Sequence, residues 1–376
     1  MRLTLIGPVY PYRGGIAHYT GLLSRALRQH NHEIQLISFQ RQYPAWLYPG
    51  KTDREPGKPI VDLAAQYTLD PLYPWTWSRT SRTILDYQPQ AVIIQWWTTF
   101  WAPAFSRLAT ALRKSNIPVI FIIHNVMPHE VKRWDTWLAT LALSQGDRFI
   151  VQSNREEKRL RALLPKAEIQ TCPLPVFDLN QSKGLSRGAA LKQIDLDPAG
   201  PILLCFGIVR PYKGLQYAIQ AVARLRELGQ TYHLLVAGEI WEDKQLYVDL
   251  VHQLNITKQV TFEDRYIPNE EIGNYFSAAN VFLAPYIDGT QSAAIKLALG
   301  YGVPIVASDI LADDMLTQSP QAFFVPPGDV TALSRAIESA ASLKGSMQPA
   351  TNLVEESWTR LVRMIEGMVS NLDRRP

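Results

Sequence analysis

Short apolar runs of strand length alternate with amphipathic stretches of helical period along nearly the whole chain. In the first half, RLTLIGP, EIQLISF, AVIIQWW, IPVIFIIHN and DRFIVQS are rich in β-branched and aromatic residues and predict strands. Between them, GIAHYTGLLSRALRQHN, APAFSRLATALRKSN and NREEKRLRALLP place apolar residues at helical spacing. Such alternation predicts a parallel sheet covered by helices, because parallel strands need a crossover connection and are buried on both faces. The pattern restarts after the turn-rich KQIDLDPAG. Strands PILLCFGIV, YHLLVAGE, QVTFED, VFLAPY and VPIVASD alternate there with helices GLQYAIQAVARLRELG, DKQLYVDLVHQLN, NEEIGNYFSAAN and VTALSRAIESAASL. The expected class is α/β, with two Rossmann-like doubly wound domains and a boundary near 190–200, dividing 1–195 from 196–352. The last stretch, LVEESWTRLVRMIEGMVSNL (353–372), is amphipathic and can pack back on the first domain.

Bulk properties agree with this division. A chain of 376 residues exceeds the size at which single cores split, and 47% hydrophobic residues suffice for two cores. Cys172 and Cys205 are the only cysteines, too few for a disulfide framework, which points to a reducing, cytoplasmic setting. No apolar run approaches the roughly 20 residues that span a bilayer, and the first residues resemble a strand rather than a signal peptide. A net charge of +4 suits anionic ligands or an acidic membrane surface and does not single out nucleic acid.

Candidate chemistry gathers where strands give way to helices, the edge at which open α/β sheets bind ligands. In DGTQSAAIKLALGYGVPIVAS (288–308) a helix starts among small residues. Its first amides, at about Gln291, Ser292, Ala293 and Ala294, have no partner within the helix and favour an anion such as phosphate. Capping by Thr290 or Ser292 is the plainer alternative. GIVRPYKGL brings Arg210 and Lys213 into one loop between Gly207 and Gly214, a pairing that suits a diphosphate as well as a solvated surface. Gly14 and Gly15 form a second glycine loop before a helix, without the G-x-G-x-x-G of dinucleotide sites. FIIHNVMPHE ends a strand on His124, while His129 and Glu130 lack a third ligand at metal-site spacing. Asp313 and Asp314 read as a solvated acidic pair.

In their order these fragments resemble the retaining glycosyltransferases of family 4, which have the GT-B fold. The resemblance rests on the Gly14–Gly15 loop, HNVMPHE, DRFIVQSN, FGIVRPYKGL, VAGE, FEDRYIPNEEIGNYFSAANVFLAPY, GYGVPIVAS and FVPPGD. It implies two domains facing each other across a cleft, a UDP- or GDP-linked sugar as donor substrate, and no metal or other cofactor. It further implies that Arg210, Lys213, the Gln291–Ala294 amides and the Gly14–Gly15 loop hold the diphosphate, that His124 contacts the donor sugar, and that Tyr266 and Ile267 meet the nucleotide base. The family's two glutamates in the 288–308 stretch fall on Gly289 and Leu297 here, which marks a subgroup lacking the usual pair. Asp288 or Lys296 are the nearest charged substitutes. A non-catalytic nucleotide-sugar-binding or scaffold protein, or another GT-B reaction such as epimerisation or phosphorolysis, remains an alternative.

The first domain is also dense in aromatics and prolines, in RQYPAWLYPGK (41–51), DPLYPWTWSR (70–79) and QWWTTFWAPAF (95–105). Core packing is one reading. The other is a groove for a glycan or polyprenyl-linked acceptor, or a face on the inner membrane where Arg41, Lys51, Arg79 and Arg82 meet acidic lipid.

Overall fold

A computed structural model describes residues 1–44, 46–48, 50–128, 132–177, 185–198, 200–343 and 351–372. The chain forms two compact units. The first comprises Met1–Glu55, Pro59–Pro173 and Glu356–Pro376, and the second Pro56–Lys58 and Leu174–Glu355.

In the first unit β1 (Arg2–Ile6), β2 (Glu33–Phe39), β3 (Gln66–Leu69), β4 (Ala91–Trp96), β5 (Val119–Ile123), β6 (Arg148–Val151) and β7 (Ile169–Thr171) form a parallel sheet in the order β3-β2-β1-β4-β5-β6-β7. Register is set by apolar pairs such as Leu5 with Leu36 and Ile93. In the second unit β8 (Ile202–Phe206), β9 (His233–Ala237), β10 (Val260–Glu263), β11 (Val281–Ala284), β12 (Ile305–Ser308) and β13 (Ala322–Val325) pair in the order β10-β9-β8-β11-β12-β13, also parallel. Both orders reverse direction at the first strand of the unit, as in doubly wound folds. β4 and β5 are buried along their whole length, which is why they read as unbroken apolar runs.

Some expectations need correction and others gain detail. The division falls at Pro173/Leu174 rather than near 195. The intervening residues pack on the second unit: a Cβ on Gly300 would lie 2.5 Å from the carbonyl oxygen of Phe177, and Arg187 Nε donates to Ala278 O at 3.3 Å. The helix Thr351–Leu372 crosses the division, and from Glu356 it belongs to the first unit. There Trp358 packs on Tyr19 at 5.4 Å, and Glu366 Oε1 lies 2.9 Å from His32 Nε2. QWWTTFWAPAF is core: Trp96, Trp97, Trp101 and Phe105 are all buried. The stretch 70–79 opens a helix, Pro74–Tyr87, with Pro74 in the first turn where its missing N–H costs nothing. The short strands β3, β7 and β13 and the helix Asp135–Leu143 escape the periodicity, being too short or too uniformly apolar to show one.

Candidate functional site

In the second unit, two loops at the strand C-termini interlock. β8 runs into Gly207 at φ 90°, then Arg210, a short turn Pro211–Lys213, and Gly214 at φ 66°. Gly214 is required twice over: its φ is left-handed, and a Cβ would stand 2.1 Å from the Pro285 carbonyl oxygen. β11 runs into Tyr286, Ile287 and Gly289, and Ile287 N donates to Tyr212 O at 2.8 Å. Lys213 Nζ lies 5.6 Å from the centre of the Tyr286 ring, and the Tyr286 hydroxyl is 3.2 Å from Ser292 Oγ. Lys213 is therefore fixed beside the start of the helix Ala293–Gly300.

Among the described residues no carboxylate pairs with Lys213. Burial holds its ammonium below the usual lysine pKa, and the nearby Arg210 guanidinium pushes the same way. Arg210 stands over Trp241, 5.5 Å from the ring centre. Trp241 Nε1 donates to Glu239 Oε2 at 2.9 Å. Two cations held close in a partly buried loop repel each other, and an anion placed between them relieves that repulsion.

The helix Ala293–Gly300 is less bare than expected. Ser292 is its N-cap, accepting from Ile295 N at a long 3.5 Å. The amides of Ser292, Ala293 and Ala294 donate to no group among the described residues, and the first turn holds no acidic residue. Gln291 is half-buried just ahead of them. Other helices of this unit have carboxylate caps, from Asp243, Asp313 and Asp329.

Lys296 and Asp313 have structural roles. Lys296 is 1% exposed and pairs with Asp313 Oδ2 at 2.7 Å. Asp313 Oδ1 accepts from Met315 N and Leu316 N, so Asp313 is a half-buried cap tied to a buried lysine rather than part of a solvated pair. Gly289 has φ 139°, a conformation that side-chain-bearing residues rarely adopt, and Leu297 is buried. The backbone is thus committed to glycine where the resemblance implies a glutamate. Tyr266 and Ile267 follow β10 in a loop braced by Arg265, which bonds Glu263 and Glu271 at 2.5 Å each and the Tyr275 hydroxyl at 3.1 Å. Ile267 is buried and Tyr266 half-buried.

Gly14, Gly15 and His124 belong to the first unit. Gly14 has φ 101° with open space where a Cβ would be, and it precedes the helix Gly15–Gln29, which has no side-chain cap. His124 follows β5 and is buried. Its Nε2 lies 2.6 Å from Gln95 Oε1, and its ring stands edge-on to Tyr19 at 4.8 Å. Burial lowers its pKa to about 4, opposed in part by a hydrogen bond with Gln152, so the ring is neutral near pH 7. His129 and Glu130 lie outside the described residues. Among the described residues no group of three His, Cys, Asp or Glu side chains could hold a metal ion.

Trp241 and Glu239 were not singled out from the sequence. Their signal was position alone: a Gly-Glu pair directly after β9 and a tryptophan in the loop that follows.

The comparisons with known proteins agree with this geometry. Residues 14–175 match the family of glycosyl transferase 4-like domains, and residues 200–342 match glycosyl transferases group 1. The fold resembles the catalytic domain of Arabidopsis thaliana starch synthase IV bound to ADP and acarbose, with TM-score 0.71, 15% identity, and coverage of 100% of this chain and 99% of that one. It also resembles Anabaena HepE in complex with UDP, with TM-score 0.68, 16% identity, and coverage of 99% and 100%. Each half of the chain thus matches a glycosyltransferase domain family, and the solved structures share its GT-B fold. In sequence it is similar to the D-inositol 3-phosphate glycosyltransferase of Nocardia farcinica, 26% identical over 176 residues, which is 45% of this chain and 39% of that relative.

Proposed function

We propose that this protein is a retaining glycosyltransferase that moves a hexose from a UDP- or GDP-sugar to a glycan or lipid-linked acceptor in cell-surface polysaccharide or glycolipid synthesis. The observation that carries the reading is the seat in the second unit, where Lys213 is fixed beside the amides of Ser292, Ala293 and Ala294, and among the described residues neither the cation has a carboxylate nor the amides an acceptor. A pyrophosphate satisfies all of these groups. Charge grows on the departing diphosphate as the sugar–phosphate bond breaks. Pre-oriented amides and cations then stabilise the transition state more than the ground state. One such donor contributes about 3 kcal/mol, roughly a hundredfold in rate. In this reading the chain works in the cytoplasm without a metal, because these groups supply the positive charge, and Arg210 shares the clamp. Tyr266 and Ile267 meet the base through their backbone. The first unit binds the acceptor.

A second reading follows from Gly289 and Leu297. With neither carboxylate present, the chain would bind nucleotide-sugars without turning them over. A thermal-shift screen of nucleotides, followed by transfer and hydrolysis assays on the stabilising donor, separates the two. Stabilisation with turnover supports transfer, stabilisation without turnover supports the second reading, and no stabilisation by any nucleotide overturns both.

A further inference from the structure

We propose that the C-terminal edge of the first sheet carries a docking surface for an acidic lipid bilayer, built from the described residues of 41–51 and the starts of the helices Pro74–Tyr87 and Asp135–Leu143. This inference does not depend on donor chemistry. The helices Pro74–Tyr87, Ala102–Lys114 and Asp135–Leu143 follow β3, β4 and β5, and the 41–51 loop follows β2, so all begin at one edge of the sheet. Contacts join these pieces. Arg41 bonds Asp70 at 3.2 Å and stands over Tyr73 at 5.5 Å. Trp97 Nε1 donates to the Tyr43 hydroxyl at 2.6 Å, and Trp101 Nε1 to Gln42 O at 3.2 Å. Thr99 Oγ1 donates to the Asp135 carboxylate. The floor is therefore continuous from Tyr73 to Asp135.

On this floor four tryptophans face solvent: Trp46 is 79% exposed, Trp75 65%, Trp134 58% and Trp137 65%. Each is a large apolar ring with a polar N–H, the side chain suited to a bilayer's headgroup level. A soluble surface rarely gathers so much aromatic area without a partner. The charge pattern names the partner. Within residues 41–51, 70–82 and 132–137, the exposed charged side chains among the described residues are all cations: Lys51, Arg79, Arg82, Lys132 and Arg133. The acids in the same stretches, Asp70 and Asp135, are buried. Lys132 Nζ stands 5.6 Å from the Trp134 ring centre, so charge and aromatic are presented together. The core of a protein–protein interface is depleted of charged residues, whereas an anionic membrane attracts each Lys or Arg lying near it. No helix of the described residues is long and apolar enough to cross a membrane, so the contact is peripheral.

The test is flotation of the whole protein with vesicles of phosphatidylcholine alone and with added phosphatidylglycerol. The expected result is binding to the acidic vesicles only, weakened by salt. The Lys132→Gln/Arg133→Gln pair should weaken it about thirtyfold, and the Trp134→Ala/Trp137→Ala pair should also weaken it, with circular dichroism and Tm unchanged in both. No binding to acidic vesicles at low salt, or binding untouched by both pairs, overturns the proposal. So does a dimer in sedimentation that the same substitutions disperse, because the face would then be covered by a second copy of the chain.

Discussion

The two sheets share one architecture, yet their strand C-termini carry opposite chemistry. At the buried floor of the first edge, polar groups pair with one another: His124 leans on Gln95, Tyr43 accepts from Trp97, and Asp135 accepts from Thr99 and from Lys132 N. At the second edge, among the described residues, Lys213 has no carboxylate partner and three helix-start amides have no acceptor. Equivalent folds therefore place the candidate sites, while the residues in the loops decide whether an edge closes on itself or stays open to an anion. A closed edge responds to mutation mainly through stability. An open edge responds through binding.

This contrast can be broken at several points. Trp101 is fully buried at the closed edge, so Trp101→Ala should cost about 3–5 kcal/mol of stability in urea titration. A loss below 1 kcal/mol would mean that this edge is not packed as described. The pH response of His124 comes next. Its folded pKa of about 4 lies below the ordinary histidine value of 6.5, so the unfolded chain takes up the proton first. Its contribution is complete above pH 6.5 and is lost as the pH falls from 6.5 towards 4, on the order of 3 kcal/mol in all. Urea titrations at pH 7 and 4.5 should show a shallower pH dependence for His124→Gln than for the wild type, and equal slopes would count against a buried neutral ring. At the open edge, Lys213→Ala should lower UDP or GDP affinity roughly thirtyfold by calorimetry, at nearly unchanged stability, because it removes a charge-assisted contact. Ser292→Ala sharpens the point. The long cap bond is worth about 1 kcal/mol of stability, whereas nucleotide affinity should change less than about threefold, because the amides themselves remain.

Much of the fold was legible in the sequence because buried parallel strands leave continuous apolar runs and their covering helices are amphipathic. The cation loop at Arg210 and Lys213 was legible from its flanking glycines. Which aromatics form an exposed face was not legible: periodicity cannot tell Trp101, which faces the core, from Trp75, which faces solvent. Lys296 and Asp313 also resisted prediction, since a buried ion pair between residues on separate elements leaves no local pattern. Gly289 could be seen as a departure, but only the backbone shows why glycine is required there.

The most direct test of the open second edge is calorimetry of the wild type and Lys213→Ala with the nucleoside diphosphate that stabilises the protein most and with its monophosphate. The account predicts that the wild type prefers the diphosphate and that the substitution removes most of that preference while leaving monophosphate binding nearly unchanged. Equal losses for both ligands, or a diphosphate preference that survives the substitution, would contradict a pyrophosphate seat at Lys213 and the amides of Ser292, Ala293 and Ala294.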